Sequence, residues 1–87
     1  MRRPGEWMQM PTDDRILEAL DTDLKLTPAV IAENIGRSRE QVQRRLSELQ
    51  DRGLVKRPKR GYYLITDEGR AYLTGDLDAE EIDVEDG

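Results

Sequence analysis

Cysteine and histidine are both missing from this 87-residue chain. Their absence removes disulfide scaffolds, cysteine-type zinc sites and any mechanism that needs a thiolate or an imidazole. Serine is nearly as scarce, with Ser38 and Ser47 alone, and no glycine-rich loop has the spacing that cradles a phosphate. An enzyme needs placed acid–base or nucleophilic groups, so no catalytic role is expected. Long apolar runs are missing too, and no charged, apolar and cleavage-site pattern opens the sequence. A soluble cytoplasmic protein with no membrane partner is the expectation. Asp21-Thr22-Asp23 and Asp76-Leu77-Asp78 have the opening of a calcium loop but lack its glycine at the sixth position, so neither a metal nor another cofactor is expected.

What is present is charge, unevenly spread. The net charge is −5, which at first argues against a nucleic-acid partner. Between residues 37 and 60, however, nine bases face three acids, while residues 76–87 hold seven acids and no base. A basic block between acidic flanks is a footprint for an anionic partner; its plainer alternative is a solvated charged helix face. A chain of this size forms one domain and buries only roughly 60–65% of its unfolded surface, so its core must be economical.

Residues 1–11, with two prolines and a glycine, read as an arm whose Trp7, Met8 and Met10 are too apolar for full solvation. Thr12 can cap a first helix with Asp13 and Asp14 at its positive end, and Ile16, Leu17 and Leu20 make one buried stripe. Leu24 and Leu26 alternate as a short strand would. Thr27-Pro28 opens a second helix, with Ile31 and Ile35 inward and Gly36 as its stop. Ser38 and Gln41 fit a capping box that opens a third helix running to about Arg52, and Gly53 ends it. Residues 54–57 and 62–65 are β-prone runs around a turn-rich tip at 58–61. Thr66 caps a last short helix over 67–73, with Gly75 past its end. The acidic tail from Asp76 to Gly87 is expected to be frayed.

Helix, short strand, helix, tight turn, helix, hairpin and helix make a mainly α fold with a small β-hairpin, a winged helix-turn-helix over 12–75. Ala32, Gly36 and Val42 have the spacing of that motif: a small residue at the crossing, a left-handed turn and an apolar plug between the helices. At roughly 100° per residue, Val42, Leu46 and Leu49 share one side of the third helix, and Glu40, Arg44, Ser47 and Asp51 share the other. The base-reading candidates are Arg39, Glu40, Gln43, Arg44 and Ser47, since Arg pairs with guanine, Gln with adenine and Glu with the cytosine amino group. Backbone candidates are Arg37, Ser38 and Arg45 around the helix and Lys56, Arg57, Lys59 and Arg60 on the wing. Arg39 and Arg45 lie near the core border, where packing and phosphate contact compete. The basic hairpin tip has its own alternative, since lysine and proline also blunt edge strands. Tyr63 and Ile65 share one strand face and read as core, with Tyr62 at the base of the wing.

The stretch IAENIGRSREQVQRRLSELQDRGLV followed by GYYLITDEGRAYL resembles prokaryotic winged-helix transcription regulators. With EWM, DDRILEAL, TP..IA and LDAEEID added, nearly the whole sequence resembles the phage-repressor-like winged-helix proteins of salt-loving archaea. That resemblance implies transcriptional regulation, usually repression, with the recognition-helix positions falling between Ser38 and Ser47. The acidic pI near 4.7 agrees with it. The rival reading is a winged-helix adaptor for protein contacts, which should show apolar anchors on the third helix's exposed face. A homodimer on double-stranded DNA is expected, because one such domain spans few base pairs. Its interface candidates are Trp7, Met8, Tyr72, Leu73 and Leu77.

Overall fold

Three of the four α-helices begin where a side chain accepts one of their unpaired N–H groups. The computed structural model describes residues 1–22 and 24–82. Its helices are α1 (Thr12–Leu20), α2 (Pro28–Ile35), α3 (Arg39–Asp51) and α4 (Asp67–Thr74), with an antiparallel hairpin of β1 (Val55–Lys59) and β2 (Tyr62–Ile65) between α3 and α4. Thr27, Ser38 and Thr66 accept from the N–H groups of Val30, Gln41 and Gly69 at 3.2, 3.1 and 3.0 Å. Gly36, at φ 71°, makes the left-handed turn between α2 and α3 that a side chain would strain.

Thr12 does not cap α1. It lies inside the helix, buried, and its hydroxyl accepts from Arg37 Nε at 3.3 Å. Helix α1 has no side-chain cap; Asp13 instead accepts the Gln9 N–H at 3.1 Å and so ties the preceding chain to the first turn. On the hairpin, β1 runs two residues further than expected and includes Pro58. The strand register breaks between Lys56 and Lys59, so proline sits where a missing N–H costs no ladder bond. Leu26 joins β2 as a single bridge, exchanging hydrogen bonds with Tyr63 at 2.9 and 3.4 Å, while Leu24 stays exposed.

The core is continuous through all these elements. Ile16, Leu17 and Leu20 from α1, Ile31 from α2, Val42, Leu46 and Leu49 from α3, and Leu54, Val55, Tyr63 and Ile65 around the hairpin form one buried cluster. At Gly69 an added Cβ would collide with the Leu54 carbonyl oxygen, so α4 can approach the sheet only with glycine there.

The acidic tail is not frayed in its described part. Residues 76–82 fold back over the N-terminal arm, where the backbones of Arg3 and Asp78 pair in a single parallel β-bridge and residues Ala79–Glu81 make one 3₁₀ turn. The Trp7 indole N–H donates to the Ala79 carbonyl at 2.9 Å, and the Ala79 N–H donates to the Arg3 carbonyl at 3.0 Å. Arm and tail therefore form a clasp, and neither is a loose appendage to residues 12–75. The tail acids Asp83, Glu85 and Asp86 lie outside the described residues, as does Asp23. Among the described residues, no helix is long and apolar enough to cross a membrane.

Candidate nucleic-acid interface

Three inward leucine and valine side chains fix the orientation of α3. With Val42, Leu46 and Leu49 fully buried, Arg39, Glu40, Arg44 and Ser47 are left on the exposed side. The wing stands beside it, with Lys56, Arg57, Lys59 and Arg60 all exposed. Between them runs an open groove of about 510 Å³, lined by Thr27, Pro28 and Ala29 at the start of α2, Arg39 and Gln43 from α3, and Arg57, Arg60 and Tyr63 from the hairpin. Three guanidinium-bearing residues thus meet at one concave surface, which suits a polyanion.

The structure places the remaining candidates less uniformly. Ser38 spends its hydroxyl oxygen on the α3 cap and remains exposed. Arg37 is half-buried, held by Thr12. Gln43 is half-buried as well, its amide donating to the Tyr63 hydroxyl at 3.0 Å. Ser47 donates back to the Gln43 carbonyl at 3.2 Å, a bond that leaves its oxygen able to accept.

Arg45 is turned toward Asp13. Its Nε and Nη2 donate to the two oxygens of Asp13 at 2.9 and 2.8 Å, and Nη2 also donates to the Trp7 carbonyl at 3.2 Å. The Asp13 side chain is 0% exposed and that of Arg45 only 11%. The hydrogen bonds to Asp13 outweigh partial desolvation and hold the Arg45 guanidinium above its ordinary pKa, so it stays charged and engaged. Helix periodicity put Arg45 at the core border; an unsatisfied carboxylate on another helix decided which way it turned.

The expected dimer set also separates. Tyr72 is fully buried, with its hydroxyl donating to Asp14, and burial followed by that neighbouring carboxylate pushes the phenol well above its ordinary range. Met8 belongs to the core. The Trp7 ring is covered within its own chain by Arg52, whose guanidinium lies 4.5 Å from the ring centroid. Of the five, Trp7, Leu73 and Leu77 remain partly exposed.

Sequence reasoning missed three places beside the α3 surface. The N-terminal residues of α2 line the groove, and Gln9 and Gln41 line a second hollow with Ser38, Arg44 and Arg45. Gln41 carried a signal, since it sits one turn ahead of Arg45 on a helix already assigned to this face. Gln9 carried none, because its position depends on Asp13 and the chain reversal before α1.

This combination of buried α3 seam, left-handed turn at Gly36 and basic hairpin has a counterpart in known proteins. The model of the winged helix-turn-helix phage repressor family matches residues 1–85. The chain belongs to that family. Its members are regulators and not enzymes. Among its relatives, the repressor protein of Halobacterium phage phiH is 40% identical over 88 residues, covering 95% of this chain and 98% of the relative. The crystal structure of the PhiH1 repressor-like protein from Haloarcula marismortui superposes with a TM-score of 0.86 at 38% identity, over 98% of each chain. The family match extends past the helix-turn-helix into both the arm and the tail, so the clasp lies within the shared unit.

Proposed function

We propose that this protein is a sequence-specific, double-stranded DNA-binding transcriptional repressor that acts in the cytoplasm. In this reading α3 enters the major groove, with Arg39, Glu40, Gln43, Arg44 and Ser47 toward the bases. The wing, through Lys56, Arg57, Lys59 and Arg60, follows the backbone or the minor groove, and Arg37 and Ser38 face phosphate at the start of α3. The observation that carries it is the continuity of the exposed α3 face with the basic wing across one groove. An adaptor needs apolar anchors on that face, and none of its exposed residues is apolar.

Two further parts of the reading have separate support. A homodimer would place two recognition helices one DNA turn apart, about 34 Å, with Leu73 and Leu77 as the open apolar contacts. A salt-rich cytoplasm suits the acidic pI near 4.7 and the names of the relatives, one from a Halobacterium phage and one from Haloarcula.

Selection of preferred duplexes from a random pool, followed by titration of the selected site, tests the function. Arg44→Ala should cost about 1–3 kcal/mol on that site and flatten discrimination at one or two base pairs. Equal affinity for selected and random duplexes in the parent protein would refute sequence-specific binding.

A further inference from the structure

Gln43 is held from behind by a residue of the hairpin, and that contact bears on which base it can read. A glutamine amide carries two N–H donors and one carbonyl acceptor. Adenine in the major groove presents the N7 acceptor beside the N6 amino donor, so it is matched by one amide N–H and the amide oxygen side by side. In this structure the Gln43 amide nitrogen already donates to the Tyr63 hydroxyl at 3.0 Å. One N–H is spent inward, and the second N–H and the oxygen remain. A free glutamine can turn its amide over and exchange donor for acceptor; one bonded to Tyr63 can do so only by breaking that bond and turning the hydroxyl to donate instead.

Tyr63 is a rigid anchor for this purpose. It is 3% exposed, and its backbone exchanges two hydrogen bonds with Leu26. Its ring also has the Arg57 guanidinium 5.9 Å from the centroid, on the wing side. Gln43 lines both the groove toward the wing and the hollow shared with Arg39, Glu40 and Arg44, so its amide stands where the two surfaces meet.

We infer that Tyr63, through its hydroxyl, is the positioning residue that presents the donor–acceptor edge of Gln43 to adenine, making one A·T pair of the DNA site its specificity determinant. The inference rests on the proposed entry of α3 into the major groove and deepens it. Tyr63 itself touches no base. Its hydroxyl removes a rotational freedom that Gln43 would otherwise lose on binding.

The test compares the parent with Tyr63→Phe, Gln43→Ala and Gln43→Glu on duplexes that vary each pair of the selected site, with thermal melts of all four proteins. Tyr63→Phe should keep the melt cooperative. Its preference for A·T at a single pair should fall by about threefold to tenfold, the worth of one hydrogen bond. Gln43→Ala should lose the preference at that same pair. Gln43→Glu, an acceptor only, should move it toward cytosine. Unchanged discrimination in Tyr63→Phe beside a flattened Gln43→Ala would overturn the role of Tyr63 and leave groove entry intact. A uniform loss across all duplexes in Tyr63→Phe would also overturn it, as a structural effect. The absence of any preferred duplex for the parent would instead overturn the proposed function.

Discussion

Asp13 is enclosed completely, and its oxygens are divided among partners from separate parts of the chain. They accept from Gln9 in the arm and from Arg45 on α3, 32 positions away. Removing one member of a buried charged pair strands the other, which typically costs about 3–5 kcal/mol. Asp13→Ala should therefore lower stability by about that amount in denaturant titration, while Asp13→Leu with Arg45→Met should recover most of it. Parent-like stability in Asp13→Ala would mean that water reaches the Arg45 head. The same pair marks a limit of sequence reading. The spacing on α3 showed that Arg45 lay at a border, but only the fold brings Asp13 there. Tyr72 is a parallel case: an interface candidate from the sequence, it is buried in its own chain with its hydroxyl donating to Asp14.

The elements themselves were legible where their determinants are local. Thr27, Ser38 and Thr66 bond within their own first turns, and Gly36 needs only its own backbone freedom, so α2, α3 and α4 could be placed from nearest neighbours. The outward face of α3 followed for the same reason, because three apolar residues at helical spacing fix it. The hairpin was harder. Pro58 argued for a turn, yet it occupies a strand whose register is broken around it. That irregularity leaves Lys59 and Arg60 at the tip, both exposed, with Arg60 lining the groove. If they contact phosphates, replacing both by alanine should weaken specific and random duplex alike. The slope of log-affinity against log-salt should also become shallower, by about 0.9 for each phosphate no longer neutralised. An unchanged slope would assign the tip's charge to protection of the hairpin edge.

Charge is segregated along the whole molecule, with the bases gathered in α3 and the wing and the acids gathered in the tail. Composition alone made that tail look solvated, because seven acids in twelve residues mask the short apolar series of Leu77, Ala79 and Ile82. Ala79 is part of the core, Leu77 and Ile82 pack against it, and Arg52 donates to the Ile82 carbonyl at 2.8 Å. Truncation after Gly75 thus removes structure as well as charge; a cut after Ile82 separates the two. The clasp also has a consequence in time. Its bonds join residues 71 to 76 positions apart, such as Arg2 with Leu73 and Arg3 with Ala79, and contacts of such separation carry a large loop-closure cost. They are expected to form after the helices and hairpin have met, and so to be absent from the rate-limiting step. Trp7→Ala should then leave the folding limb of a stopped-flow chevron nearly in place and raise the unfolding limb. A slowed folding limb would put the clasp in the nucleus. As a late contact, it lengthens the life of the folded state without hastening its arrival, and the underside of α3 owes its persistence to the last part of the chain to settle.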